Sequence, residues 1–238
     1  MTHNINQLIV YDDVIQGEDE WHELRRGMAT ASTIGALITP KTLKVSTAQT
    51  GLTKLAEIAA ERITARSEEP FWSRDTERGH YYEPYARDEY AKHNDVEVRE
   101  VGFMVRHLAG YQIGYSPDGL VNDDGLIEIK SRKQRIQVQH ILAGEVPAEH
   151  MAQLQTGLFV SGRDWIDYCS YSTGMPMMII RVTPDPKWQQ AIADALVYAE
   201  AKISEITQHY EDRVQSMPVT EYVEQIDDWD LELGGLSL

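Results

Sequence analysis

The sequence predicts an α/β domain with a mixed central β-sheet flanked by helices. Two observations support this fold class. Up to about residue 93, apolar side chains recur at helical spacing, whereas from Val96 onward they alternate as in strands. A second helical stretch near residues 148–160 is then followed by two strand-like runs and a long amphipathic helix. Helices that bracket a run of strands are typical of one sheet covered by helices.

The first 95 residues are expected to be mostly helical. Helices are predicted at about 18–26, from Thr30 or Ser32 to before Pro40, at 50–65 and at 75–93, with loops over 41–50 and 67–73. Pro84 lies inside the last of these helices and should kink it unless the helix begins later, because proline removes a backbone donor.

The remaining elements follow from the change of period. Strands are predicted from 96 to 101, at 103–105, 111–113, 126–127, 164–171 and 177–182, with helices at 134–142, 148–160 and 186–209. Residues after 216 are weakly patterned and acidic. We therefore expect a single domain over 1–215 and an acidic C-terminal tail over 216–238.

A tight turn organises the most informative part of the chain. Residues 122–125 read Asn-Asp-Asp-Gly between two apolar runs, a strong hairpin signal. Folding there brings Asp118 opposite Glu128. Because alternate side chains of a strand share a face, Glu128 and Lys130 point one way and Ile129 the other, into the core. Two acids and an ammonium group thus converge on one side of a hairpin.

This trio favours metal-assisted phosphodiester hydrolysis. Two carboxylates at close range repel, and one should stay protonated unless a cation lies between them. Mg²⁺ typically uses one or two carboxylates, waters and phosphate oxygens, and it activates a bound water. Lys130 can then orient that water or neutralise developing charge. Taken separately, Pro-Asp-Gly at 117–119 is a common turn, and Glu-x-Lys is common on exposed strands.

The overall charge restricts how such a protein can bind DNA. The net charge of −16 over 238 residues disfavours nonspecific coating of duplex, which relies on Lys and Arg contacts to phosphate. Acidic residues concentrate after Arg213, whereas basic residues cluster at 25–26, 41–44 and 130–135. A basic cleft on an acidic body can direct DNA into one channel. The acidic tail could equally be a solvated face.

Other features restrict the location and cofactors. Cys169 is the only cysteine, so an internal disulfide is impossible and a Cys/His zinc site is disfavoured. The sequence has no long apolar run and no signal-like N-terminus, so we expect a cytoplasmic protein that does not engage a membrane.

Five blocks resemble the phage lambda exonuclease and viral recombinase (YqaJ-like) family of the PD-(D/E)xK nuclease superfamily. They occur in the family's order at 21–32, 78–83, 116–120, 125–130 and 151–155. The resemblance implies a restriction-endonuclease-like core. It also implies a Mg²⁺-dependent exonuclease that degrades one strand of duplex DNA from 5′ to 3′ and leaves a 3′ overhang for phage recombination by single-strand annealing.

The resemblance also implies cofactors and partners. Two Mg²⁺ ions would occupy the site, and Mn²⁺ could substitute. Partners would be double-stranded DNA ends, a single-strand annealing protein and two further copies in a homotrimeric ring, in the cytoplasm of a bacterial host that carries the phage or prophage.

Roles for single residues are carried over on the same basis. Metal would be bound by the carboxylates of Asp118, Glu128 and Glu83 and the backbone carbonyl of Ile129, while Lys130 and Gln153 would assist catalysis. Gln155 is a weaker candidate. Without the family match, Glu83 would be read as an exposed helical glutamate and Gln153 as a buried helix-face glutamine.

A second group would bind the 5′-terminal phosphate of the DNA. Arg25, Ser32 and Ser116 match the family's positions, and guanidinium and hydroxyl donors suit phosphate. Arg25 alone would be an ordinary surface arginine and Ser32 a helix cap. A further arginine is expected after Lys130, and we favour Arg135 over Arg132.

Two alternatives remain at this level. One is another PD-(D/E)xK nuclease, an endonuclease or resolvase, which would cut covalently closed circular DNA. The other is a non-catalytic DNA-processing assembly module, against which the intact set of two acids and a lysine argues.

Overall fold

The structure, a computed structural model, describes residues 6–68 and 74–223, apart from the side chains of residues 74–76. The chain divides into two compact units, Met1–Thr207 and Gln208–Leu238. The predicted acidic tail therefore falls within the second unit, and its residues from 224 onward lie outside the described part of the chain.

The elements alternate along the chain. The strands are β1 (Asn6–Tyr11), β2 (Ala29–Thr30), β3 (Ile38–Thr39), β4 (Lys44–Val45), β5 (Val98–Arg99), β6 (Phe103–Leu108), β7 (Tyr111–Tyr115), β8 (Gly119–Val121), β9 (Gly125–Ser131), β10 (Trp165–Tyr171) and β11 (Met178–Val182). The helices are α1 (Asp19–Arg25), α2 (Ala31–Ala36), α3 (Gln49–Thr64), α4 (Arg74–Asn94), α5 (Gln134–Ala143), α6 (Ala148–Ser161) and α7 (Pro186–Val214).

The described strands form two main sheets and a short pair. One sheet has the order β1-β6-β7-β2, the other β11-β10-β9-β8-β5, and β3 pairs with β4. Strands β9 and β10 are parallel, joined by a crossover that contains α5 and α6, whereas β8 and β11 flank them antiparallel. The pairing is mixed, as the sequence predicts.

The predicted hairpin is confirmed and fixes the register of the later site. Gly119 pairs with Ile127 and Val121 with Gly125, so the same register places Asp118 opposite Glu128. A Cβ at Gly125 would come within 2.1 Å of the Trp165 ring, so only glycine allows this approach.

Apolar packing holds β9 from both faces. Leu126 belongs to the largest core cluster, whereas Ile127 and Ile129 pack with Ala86 and Tyr90 of α4. The strand that carries Glu128 and Lys130 is therefore packed between helices and cannot shift without disrupting that packing.

Two local expectations differ from the structure. The first element of the described residues is β1, which the sequence prediction left unassigned and which pairs with β6 about a hundred residues later. The expected loop over 41–50 contains β4 and the start of α3. Helix α4 contains Pro84, as predicted, and the proline is exposed, so water can replace the hydrogen bond that it removes.

No helix among the described residues is both long and apolar enough to cross a membrane.

Candidate active site

One cleft of about 520 Å³ gathers nearly all of the residues singled out from the sequence. Those lining it are Arg25, Ser32, Glu83, Ser116, Asp118, Glu128, Ile129, Lys130 and Gln153. Arg135 and the weaker candidate Gln155 do not line the cleft. Segments up to about 130 residues apart in sequence thus meet at one surface.

Asp118 is held at the point where the β8–β9 ladder ends. The first β8 residue, Gly119, pairs with Ile127, so the next stretch of β9 has no β8 partner on that edge. The backbone N–H of Ile129 donates instead to Asp118 Oδ2 at 2.6 Å. The aspartate thereby completes the ladder with its side chain and is fixed against the strand that carries Glu128.

Glu128 is buried and accepts three hydrogen bonds. Its Oε1 accepts from Lys130 Nζ at 2.5 Å and from Gln153 Nε2 at 2.6 Å. Its Oε2 accepts from the hydroxyl of Tyr115 at 3.0 Å. A carboxylate that is only 1% exposed needs such partners, and here they also fix its orientation.

Tyr115, which the sequence reading did not single out, connects this carboxylate to α6. Burial, together with the nearby Glu128 and Asp118, raises the pKa of Tyr115 well above its ordinary value, so the phenol stays a donor. A Cβ at Gly157 of α6 would lie 2.8 Å from the tyrosine ring. The ring can therefore lie directly on the helix backbone.

A second unpredicted residue, Arg87, ties α4 to the site. Its Nη2 donates to Glu83 Oε1 at 2.6 Å and its Nε to the backbone carbonyl of Asp118 at 2.8 Å. It also pairs with Glu100 at 2.6 Å. The i, i+4 spacing of Glu83 and Arg87 on a predicted helix was the available signal.

The carboxylates disfavour one another's charge. Desolvation, followed by the negative charges of Glu128 and Glu83, raises the pKa of Asp118 well above its ordinary value. Desolvation also raises the pKa of Glu83, against the opposing effect of Arg87. For Lys130, desolvation would lower the pKa, but Glu128 and Asp118 outweigh it and the net shift is upward.

These residues fit a divalent cation. Among the described residues, no group of three or more His, Cys, Asp or Glu side chains is arranged to hold a metal ion. The donors on offer are the oxygens of two facing carboxylates and a backbone carbonyl, which suits Mg²⁺ because it usually keeps waters and takes phosphate oxygens as its remaining ligands. The mutual repulsion of the clustered carboxylates is what such an ion would relieve.

The other part of the cleft wall consists of hydrogen-bond donors. Arg25 Nη1 donates to Ser116 Oγ at 3.1 Å, and its guanidinium lies over the Trp21 ring at 4.0 Å. Burial lowers the pKa of Arg25 to about 10, which still leaves it positive at neutral pH. Ser32 hydrogen-bonds Thr30 at 3.1 Å, and both line the cleft.

The structure places Arg132, rather than Arg135, in the cleft wall. Arg132 follows β9 directly and contacts the ring nitrogen Nε2 of His150, whose pKa is lowered to about 4 by burial and then by Arg132. The Nε of Arg132 is buried without a hydrogen-bond partner. Arg135 lies on the exposed start of α5 and donates to Gln139 at 3.3 Å.

Gln155, the weaker glutamine candidate, lies away from the cleft. Its side-chain amide donates to the carbonyl of Thr183 at 2.9 Å and its oxygen accepts from the backbone of Asp185 at 3.0 Å. It is 1% exposed and holds the chain that leads into α7.

Comparison with known proteins identifies one matching family. A sequence profile of the YqaJ-like viral recombinase domain matches residues 20–164, more than half of the chain. Comparison with curated proteins yields no match.

Comparison with solved structures finds exonucleases with a similar fold. An alkaline exonuclease from Laribacter hongkongensis is 29% identical, with a TM-score of 0.68, over 82% of this chain and 99% of that one. The same enzyme in complex with dAMP gives a TM-score of 0.67. A phage-related exonuclease from Haemophilus somnus 129PT is 10% identical over 77% of this chain and 96% of that one, with a TM-score of 0.57, and shows the fold alone. The predicted PD-(D/E)xK fold class is confirmed.

Proposed function

Because this chain belongs to the YqaJ-like viral recombinase family, we propose that it is a metal-dependent exonuclease that degrades one strand of duplex DNA from 5′ to 3′. The family and the structural neighbours support a phage-type nuclease. The observation that carries the proposal is the convergence of Asp118, Glu128 and Lys130 in a cleft whose other wall offers donors for phosphate. The 3′ overhang left behind would serve phage recombination by single-strand annealing.

The acidic side of the cleft would hold Mg²⁺. The carboxylates of Asp118 and Glu128 and the carbonyl of Ile129 would bind one ion, and Glu83 would bind a second. When bound, two ions supply an activated water and stabilise the charge on the leaving oxygen. Side chains of the protein would supply the other catalytic and phosphate-binding groups.

Lys130 would act on the attacking water. Its side chain is only 23% exposed, and the bond of its ammonium to Glu128 Oε1 fixes that group beside the carboxylates. The upward shift of its pKa keeps the group charged at neutral pH, so it can donate to the attacking water or to a phosphate oxygen. Gln153 donates to the same Glu128 oxygen and helps to hold that carboxylate in one orientation.

The donor side of the cleft would bind the 5′-terminal phosphate. Arg25, Ser32 and Ser116 supply guanidinium and hydroxyl groups there. Arg132 replaces Arg135 in this role, since its buried Nε–H lacks a partner and a phosphate oxygen would satisfy it. His150 beside it is neutral at pH 7 and adds no charge of its own.

The proposed assembly rests on the family resemblance. We propose that residues 1–215 form the nuclease domain, that three copies form a ring around the DNA, and that the acidic segment 216–238 offers a docking surface to a single-strand annealing protein. A ring would let a chain with a net charge of −16 confine its DNA contacts to an inner channel. The site of action would be the bacterial host cytoplasm.

One digestion tests the proposal. Linear duplex labelled separately at its 5′ and 3′ ends is incubated with the protein, with and without Mg²⁺ or Mn²⁺. We expect release of the 5′ label only, metal dependence, and no attack on covalently closed circular DNA. Cutting of the circle would indicate an endonuclease, and no cutting with either ion would indicate a non-catalytic module. Lys130→Ala is the matched inactive control.

A further inference from the structure

Trp21 supports the donor side of the cleft without lining it. Its indole Nε1 donates to Ser116 Oγ at 2.9 Å across 95 positions of sequence. The same ring lies under the guanidinium of Arg25, which also donates to Ser116 Oγ. Trp21 packs on the small cluster of Met28, Phe103 and Val105, and it is absent from the cleft wall.

The two bonds determine what Ser116 can offer. A serine hydroxyl has two acceptor lone pairs and one proton, whereas an indole N–H and a guanidinium can only donate. Trp21 and Arg25 therefore occupy both lone pairs of Ser116 Oγ. The hydroxyl proton remains, and Ser116 lines the cleft, so the group is restricted to donating.

We propose that Trp21 is a positioning residue that fixes Ser116 as a hydrogen-bond donor and thereby sets the preference for a 5′-phosphorylated DNA end. This rests on the proposed function of the site. A terminal phosphate offers several negatively charged oxygens to this donor, whereas a 5′-hydroxyl offers one neutral oxygen with a proton of its own.

The ring serves a second purpose for the same pocket. Arg25 lies 4.0 Å from the centre of the Trp21 ring and 5.8 Å from that of Phe103. Aromatic faces hold a guanidinium by cation–π attraction while leaving its N–H groups free for a ligand. Trp21 thus places both donors, one through its N–H and the other through its face.

The variant Trp21→Phe separates these two contributions, because it keeps a ring beneath Arg25 and removes the indole N–H. Binding of the full-length protein to hairpin duplexes with a 5′-phosphate or a 5′-hydroxyl is followed by fluorescence anisotropy in EDTA. We expect affinity for the phosphorylated end to fall about five- to tenfold, the effect of one hydrogen bond, and affinity for the hydroxyl end to change less than about twofold.

A double-mutant cycle with Ser116→Ala tests whether Trp21 acts through Ser116. In that background Trp21→Phe should cost less than about twofold further, since its target oxygen is gone. With Mg²⁺, the loss should appear in KM for phosphorylated ends rather than in kcat. Equal weakening of both ends by Trp21→Phe, or full additivity with Ser116→Ala, would overturn the proposal.

A second measurement keeps the proposal testable if the variant misfolds, and it separates this proposal from the proposed function. If circular dichroism shows that Trp21→Phe is unfolded, Ser116→Ala alone must reduce the phosphate preference by about five- to tenfold, and a smaller loss overturns the proposal. Because the binding assay needs no hydrolysis, a wild type that prefers phosphorylated ends but releases no nucleotide with Mg²⁺ would refute the nuclease and leave this inference standing.

Discussion

Two aspartates of the sheet that contains β8, β9 and β10 have opposite surroundings. Asp167 of β10 is 2% exposed and fully paired: Tyr90 donates to it at 2.8 Å, and Arg181 donates to both of its oxygens at 2.9 Å. Asp118, just before β8, opens onto the cleft, accepts from the backbone N–H of Ile129, and faces Glu128 and Glu83. One carboxylate is neutralised by the protein and the other is not.

The contrast separates a buried charge that stabilises the fold from one that serves chemistry. An arginine and a phenol offset the desolvation of Asp167. Desolvation of Asp118 is made worse by its acidic neighbours, which is why its pKa rises. A carboxylate kept at a cost to stability is typical of a site that awaits a cation or substrate.

The largest expected effect comes from Asp118→Asn. It removes the charge that would bind metal, so digestion of 5′-labelled duplex should slow by more than about 100-fold, beyond the range for residues that only support a ligand. The fold should persist, because an amide oxygen can still accept from Ile129. An Asp118→Asn protein that keeps more than about a tenth of the wild-type rate would remove Asp118 from the metal site.

The converse substitution, Asp167→Asn, should affect stability instead. It replaces one of the two oxygens that accept from Arg181 by an amide N–H₂, so a donor faces a donor and the free energy of unfolding in urea should fall by about 2–3 kcal/mol. The rate per folded molecule should stay within about twofold. Tyr90→Phe is the milder control at about 1 kcal/mol. Loss of activity without loss of stability would contradict this contrast.

Magnesium should distinguish the two aspartates as well. An ion that binds only the folded protein stabilises it, so millimolar Mg²⁺ should raise the Tm of wild type and of Asp167→Asn by about 2–4 °C. Asp118→Asn should show under about half of that shift. Equal shifts in all three proteins, measured by differential scanning fluorimetry, would place the ion elsewhere.

The dependence on pH gives a smaller test in EDTA. Because the folded-state pKa of Asp118 is raised above its ordinary value of 3.8, the stability it contributes is present at low pH and is lost as pH rises through the folded-state pKa. Asp118→Asn lacks this loss. Its Tm should therefore exceed that of wild type by about 1–3 °C near pH 8 and approach it near pH 4. A constant difference across this range would show that Asp118 keeps an ordinary pKa.

Tyr115→Phe should have the smallest effect. It removes one hydrogen bond to Glu128 Oε2 while the ring stays against α6, so we expect about 1 kcal/mol of stability and a few-fold loss of rate, measured by urea unfolding and by the same digestion. A Tyr115→Phe protein as inactive as Asp118→Asn would make the phenol a direct participant.

The parts of the site that the sequence could predict are those set by local geometry. The turn at 122–125 determines the register, and the register places Asp118 opposite Glu128. Strand alternation accounts for the burial of Ile129 beside the acids. Five motif blocks in one order then identified the family.

What sequence could not supply depends on contacts between distant segments. Strand β1 is defined by pairing with β6, and a lone six-residue run carries no such information. Which of Arg132 and Arg135 lines the cleft depends on where β9 ends and α5 begins. Periodicity leaves that boundary uncertain by several residues. Trp21 was part of a motif block, but its bond to Ser116 spans 95 positions.

Gly157 of α6 has no side chain at the point where Tyr115 packs, so the residue types that positions 157 and 115 can hold depend on each other. A methyl group there would meet the phenol of Tyr115 at 2.8 Å and push it off the oxygen of Glu128 that it contacts. Enlarging residue 157 should therefore be tolerated only in proteins that shrink residue 115 at the same time. In related sequences, a residue larger than glycine at position 157 should occur only beside a residue smaller than tyrosine at position 115.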